Sequence, residues 1–137
     1  MLGKQEDNKR QALKSVLLFA GLSRRDLSAL ARITDELDVP AGKDLIRENE
    51  LGRQFFILLD GQAVARRRGR KLNTLESGDF FGEIALLSDR PTTATITTSS
   101  STTVAIITRA SFNRLLREFP HVQLKLLKAL AERVPSD

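Results

Sequence analysis

From Val39 onward the chain is punctuated by Gly42, Gly52, Gly61, Gly69 and Gly78, eight to ten residues apart, with short apolar or β-branched segments between them. That spacing predicts a compact all-β sandwich or barrel built from short strands and turns. Phe55, Ile57 and Leu59 alternate with the equally apolar Phe56 and Leu58, so this strand is predicted to bury both faces and to lie centrally, with Asp60-Gly61 as a hairpin turn. Further strands are predicted around Leu45 to Arg47, Ala63 to Arg67, Leu72 to Leu75, Ala94 to Thr98 and Val104 to Thr108, the last two rich in Thr, Val and Ile.

Helices flank this region. Leu13, Val16, Leu17 and Ala20 recur at three- and four-residue steps before Gly21. Ser23 with Asp26 three residues later forms a capping-box pattern, and Leu27, Leu30 and Ile33 follow on one face. Ser111 is the expected cap of a final helical region that Pro120 interrupts. Beyond it, Leu124, Leu127, Ala131 and Val134 repeat at helical spacing in an amphipathic helix of about 14 residues, near 20 Å long. The expected organisation is one domain over 1–137, of α+β class: helices over about 9–35, a mainly antiparallel β-roll (jelly-roll barrel) over about 37–109, and C-terminal helices over about 111–134. An apolar stripe on the last helix requires docking against the barrel or a weak homodimer through that helix.

Composition narrows the chemistry. The 137 residues carry 22 Lys or Arg against 17 Asp or Glu, a formal charge of +5, and 41% are hydrophobic. A globular chain of this length buries roughly 70% of its unfolded surface, enough for a core without staples. There is no Cys, which excludes disulfides, thiolate zinc sites and a cysteine nucleophile, and fits a reducing, cytoplasmic setting. His121 is the only histidine, so a multi-histidine metal site is excluded; it is read as an ordinary helix-start residue. No apolar run approaches the roughly 20 residues needed to cross a bilayer, and the charged stretch Met1 to Arg10 lacks a signal-peptide core. No nucleophile is paired with a general base, so the expectation is a non-catalytic protein without a cofactor.

One segment stands apart: Gly78-Asp79-Phe80-Phe81-Gly82-Glu83-Ile84-Ala85-Leu86-Leu87, followed by Asp89-Arg90-Pro91-Thr92-Thr93-Ala94-Thr95-Ile96. A glycine-marked turn leads into a single helical turn at Glu83 to Leu87, which Pro91 ends before a β-branched strand. The first N–H groups of such a helix lack intrahelical partners and suit an anion. Gly82 allows close approach of a ligand to the backbone. Glu83 offers an acceptor for a sugar hydroxyl, and Thr92 and Thr93 offer hydroxyl donors. The plainer alternatives are a first-turn acid stabilised by the helix dipole and two good strand formers.

These residues resemble the cyclic-nucleotide-binding domain superfamily, the β-roll modules of catabolite-activator-like regulators and of cyclic-nucleotide-gated kinases and channels. The resemblance covers nearly the whole chain: Leu18-Phe19-Ala20-Gly21-Leu22-Ser23, Val39-Pro40-Ala41-Gly42, Phe56-Ile57-Leu58-Leu59-Asp60-Gly61, Ser77-Gly78-Asp79-Phe80-Phe81-Gly82-Glu83 and Ser111-Phe112 occur in order. It implies a cyclic nucleotide, cAMP or cGMP, bound between the short helix and the barrel. Glu83 would hold the ribose 2′-hydroxyl, the backbone of Gly82, Glu83, Ile84 and Ala85 with Thr93 would meet the cyclic phosphate, and Leu72 with Phe81 would lie near the base. The terminal helix would act as lid and signal transmitter.

One position departs from the family pattern. The residue after the proline is usually an arginine that pairs with the phosphate, and here it is Thr92. A hydrogen bond with a charged partner contributes roughly 1.5 to 3 kcal/mol, so its loss is expected to weaken affinity about ten- to a hundredfold. Arg90 is separated from that strand by Pro91 and is not expected to substitute. The resulting reading is a sensor module whose nucleotide affinity is weakened. The alternative is an interaction module that uses the same fold to bind protein, lipid or nucleic acid. Its basic surface would be the hairpin of Arg66, Arg67, Arg68, Arg70 and Lys71 around Gly69, although such runs are mostly solvated faces that discourage edge pairing. No helix-turn-helix for reading DNA is expected, because no sequence follows Asp137.

Overall fold

The computed structural model describes residues 9, 10, 12, 13 and 16–133. Val134 of the predicted stripe and most of the charged opening lie outside them. Eight strands, β1 (Asp35–Val39), β2 (Asp44–Ile46), β3 (Gln54–Asp60), β4 (Ala63–Arg67), β5 (Arg70–Leu75), β6 (Phe80–Phe81), β7 (Thr95–Thr98) and β8 (Thr102–Thr108), form two four-stranded antiparallel sheets. Their orders are β1-β8-β3-β6 and β2-β7-β4-β5. Among the described residues no ladder joins the two sheets, so the predicted β-roll is present as two open sheets rather than a closed barrel.

β3 has the two buried faces its sequence predicts. Phe55 and Ile57 point into a core shared with the helices, while Phe56 and Leu58 point into a second core between the sheets with Ala63, Ala65, Ile96 and Val104. Because β3 is already paired with β8 on one side and β6 on the other, it has no free edge for β4. Asp60-Gly61 therefore turns a corner between the sheets instead of closing the predicted hairpin. The hairpin that does form joins β4 to β5 through Arg68 and Gly69, whose φ values of 53° and 78° suit a tight two-residue turn.

Two strands fall outside the predicted set. β1 begins at Asp35, inside the stretch predicted as helical, and four of its five side chains are exposed; it is an edge strand held to β8 by its backbone. β6 is two residues long and pairs Phe81 with Phe56 and Phe80 with Ile57.

The helices pack on the outer face of the first sheet. In the stretch predicted as one helix up to Ala20, residues 17–19 form a 3-10 turn, and Leu13, Val16, Leu18 and Phe19 are buried. Helix α1 (Arg24–Arg32) starts as predicted: Ser23 Oγ accepts from the Asp26 amide at 3.0 Å. Lys9 Nζ donates to the carbonyls of Ala31 and Thr34 near its far end, where a cation suits unsatisfied carbonyls. After α2 (Glu83–Ser88), helix α3 (Arg109–Glu118) is capped by Thr108 and not by Ser111; the Ser111 amide donates to Thr108 Oγ1 at 3.2 Å. The cap falls at the strand's last residue because its extended backbone is the one that leads directly into the helix.

The last helix, α4 (Pro120–Arg133), has the 14 residues expected, but its inward face differs from the predicted stripe. Val122 and Leu126 are buried, with Ala129 and Leu130 packed against the same core. Leu124 and Leu127 are 54% and 58% exposed. Two apolar rows share this helix, and the row that continues from Phe112 and Leu115 of α3 is the one that docks.

Candidate ligand-binding site

The site begins with the stretch that folds around Gly82. This residue has φ 92°, a left-handed backbone, and a Cβ built there would lie 2.7 Å from the Gln54 carbonyl. The left-handed backbone and β3 already exclude any larger residue here. The left-handed step turns the chain out of β6 and into α2, a six-residue helix that ends at Asp89 with φ 57°.

Two contacts press α2 onto the loop before β3. Gly52 is buried, and a Cβ there would lie 2.4 Å from the Ala85 Cβ, so only a bare backbone fits beneath the helix. Arg109, at the first position of α3, donates from Nη2 and Nε to the Gly52 carbonyl at 2.6 and 3.2 Å and from Nη1 to Asp89 Oδ1 at 2.9 Å. A planar guanidinium with five N–H groups can satisfy such a divided set of acceptors, which a lysine cannot. No pattern in the sequence marks Arg109, since its partners lie 20 and 57 residues away.

Over the start of α2 lies a cavity of about 540 Å³, between the inner face of β4 and β5 and the segment running from β6 to the beginning of β7. All eight predicted ligand-contact residues line it. Phe81 forms part of the floor and stacks on Phe56 at 5.1 Å between ring centroids, nearly parallel. Ala85 is buried, whereas Ile84 and Leu72 are about half exposed, 49% and 48%, at opposite rims. Glu83 is 1% exposed, so a carboxylate forms part of the cavity wall rather than an open rim. Burying such a group is costly unless it is hydrogen-bonded or otherwise stabilised, and its place at the first turn of α2 puts it where the helix dipole favours negative charge.

The two threonines differ. Thr92 is 8% exposed, and its hydroxyl accepts from the Glu50 amide at 3.0 Å and donates its proton to the Arg47 carbonyl. It is therefore a bracket for the loop at residues 47–50 and not the hydroxyl donor predicted for a ligand. Thr93 is exposed, and its carbonyl accepts from Arg67 Nε at 2.9 Å. Arg90 does not line the cavity.

Arg67 also lines the cavity, although its run of basic residues predicts a solvated hairpin face. Strand alternation carries the signal that would have found it: Ala63, Ala65 and Arg67 share one face, and the two alanines are buried in the core between the sheets. Among the described residues no group of His, Cys, Asp and Glu is arranged to hold a metal ion, and no helix is long and apolar enough to cross a membrane.

Two antiparallel sheets that enclose a cavity of this volume, with a short helix at its mouth, define a small-ligand-binding β-roll. The chain belongs to the cyclic nucleotide-binding domain family, whose model matches residues 36–119. It is 37% identical over 105 residues to a cAMP-dependent protein kinase regulatory subunit of Eremothecium gossypii, covering 76% of this chain and 23% of that protein. A cGMP-dependent protein kinase of Toxoplasma gondii is 30% identical over 112 residues, 81% of this chain and 11% of the kinase. The structure of the regulatory domain of Toxoplasma gondii PKA with cAMP superposes with a TM-score of 0.84 at 29% identity, covering 95% of this chain and 51% of that one. The chain thus spans a third or less of the length of these curated relatives.

Proposed function

We propose that this chain is a non-catalytic sensor module that binds cAMP or cGMP in the cavity beside α2, with an affinity lowered by Thr92 standing where the family pattern has arginine. The observation that carries the reading is the placement of a buried carboxylate, Glu83, on the wall of a cavity that also gathers Gly82, Ala85 and Thr93 opposite Leu72. A ribose hydroxyl is the donor such a carboxylate suits, and the backbone at the start of α2 suits the phosphate. Support also comes from relatives named for cAMP and cGMP dependence. A regulatory role in a reducing compartment follows the same relatives and the absence of Cys.

Titration calorimetry with cAMP and cGMP up to millimolar concentration tests this. Saturable heat with either nucleotide, together with a rise in melting temperature, is the expected result. Neither heat nor a melting shift from either one would remove nucleotide sensing and leave the interaction module as the better account. For that alternative the structure offers Leu124 and Leu127, whose exposure on α4 suits a contact with a second copy or another protein.

A further inference from the structure

A cavity that takes a phosphate holds it more tightly with a cation beside it, and position 92 does not provide one. Among the described residues that line the cavity, Arg67 is the one cation. Its place follows from β4: Ala63 and Ala65 are 0% and 5% exposed, and Arg67 continues their face past the end of the inter-sheet core. The side chain then runs along the cavity wall, and Nε donates to the Thr93 carbonyl at 2.9 Å. That bond fixes one edge of the guanidinium beside Thr93. The other edge carries the N–H groups of Nη1 and Nη2, and among the described residues no carboxylate forms an ion pair with Arg67. A planar fork held by one nitrogen is pre-organised to present its remaining donors to two oxygens at once, as a phosphate requires.

We infer that Arg67, at the end of β4 beside Thr93, supplies the charged contact to the phosphate of a nucleotide bound in this cavity, in place of the missing cation at position 92. The inference rests on the cyclic-nucleotide reading above. It adds a specificity-determining residue on β4, the strand paired with β7 beside the segment where the family pattern carries its arginine. Because Arg67 is exposed, its contact is weaker and more salt-sensitive than a sheltered pair. It recovers only part of the affinity that an arginine at position 92 would provide.

The test compares the protein with Arg67→Ala and Arg67→Lys, titrated with cAMP and cGMP and with adenosine and guanosine, which carry the same bases and ribose without phosphate. Arg67→Ala is expected to weaken cyclic nucleotide binding about tenfold while leaving nucleoside binding unchanged, and Arg67→Lys to fall between. Raising salt should weaken the unmodified protein more than Arg67→Ala, a difference that decides the matter even where nucleoside heats are too small to measure. Equal losses for nucleotide and nucleoside, or equal salt dependence in the two proteins, would make Arg67 a packing residue and overturn the inference. So would an unchanged cyclic nucleotide isotherm. If the unmodified protein binds neither cyclic nucleotide, the reading of the site itself fails, and the assignment of Arg67 falls with it.

Discussion

Thr92 and Glu50 hold each other through two hydrogen bonds: the Thr92 amide donates to the Glu50 carbonyl at 2.8 Å, and the Glu50 amide donates to Thr92 Oγ1 at 3.0 Å. The Thr92 carbonyl accepts from the Asn49 amide at 2.7 Å, and its hydroxyl proton goes to Arg47. Every hydrogen-bonding group of this residue is engaged with residues 47–50. Thr92→Val keeps the shape and leaves the Glu50 amide and the Arg47 carbonyl without that partner. It should cost about 1 to 3 kcal/mol in urea unfolding with no change in nucleotide affinity. A matching fall in affinity would return the hydroxyl to the ligand.

Thr92→Arg places the family's cation in the cavity at the expense of the same bracket. Affinity for cAMP or cGMP should rise about tenfold, from a bidentate charge-assisted contact, while the melting temperature falls. In that background Arg67→Ala should cost less than it does alone, since the two cations would serve one phosphate and their effects would not add. Thr92→Glu is the reversal control and should abolish binding. A folded Thr92→Arg protein with no gain would show that the cavity differs from the family site by more than this residue.

Glu83→Gln replaces a buried carboxylate by an amide of nearly the same shape. Cyclic nucleotide affinity should drop roughly tenfold, because the charged acceptor for the ribose hydroxyl is lost. The melting temperature should change little, since the amide keeps the shape of the buried side chain. An unchanged isotherm would separate Glu83 from the ligand; a large fall in melting temperature would make the carboxylate part of the fold.

The two rows of α4 make a direct pair of variants. Leu126→Ala empties a site 3% exposed and should cost about 2 to 5 kcal/mol. Leu127→Ala alters a side chain 58% exposed and should change stability by no more than about 0.5 kcal/mol. The reverse order in chemical denaturation would mean that the helix docks through the other row.

Much of the β architecture was legible because it is written in local patterns. Five uninterrupted apolar residues at Phe55 to Leu59 identify a strand buried on both faces, and Ser23 with Asp26 marks the start of α1. The site segment from Gly78 to Thr93 could be placed because one loop, one short helix and one strand entry are contiguous in the chain. Features decided by distant partners were not legible. β1 carries Asp35, Glu36 and Asp38 and is a strand only because β8 offers it an edge. Asp60-Gly61 looks like a hairpin turn until β6 and β8 occupy both edges of β3. In α4 two apolar rows compete, and the positions of α3 and of the 3-10 turn at residues 17–19 select Val122 and Leu126. Arg67 sits among five basic residues around Gly69, where composition hides the alternation that puts one of them at the cavity.

The pairing of β1 with β8 also sets an order for making the molecule. Asp35 lies opposite Ile106, and β8 stands between β1 and β3 in the first sheet. That sheet cannot join β1 to β3 until residues 102–108 have left the ribosome, whereas the β4–β5 hairpin closes through a two-residue turn as soon as it emerges. Loop closure over so long a span makes the helix-facing core a late event and the basic hairpin an early one. A truncation before Thr102 would therefore leave β1 and β3 without their common neighbour, and Phe55 and Ile57 without the strand that holds them under the helices, so limited proteolysis should find no stable shorter fragment ending within residues 76–101.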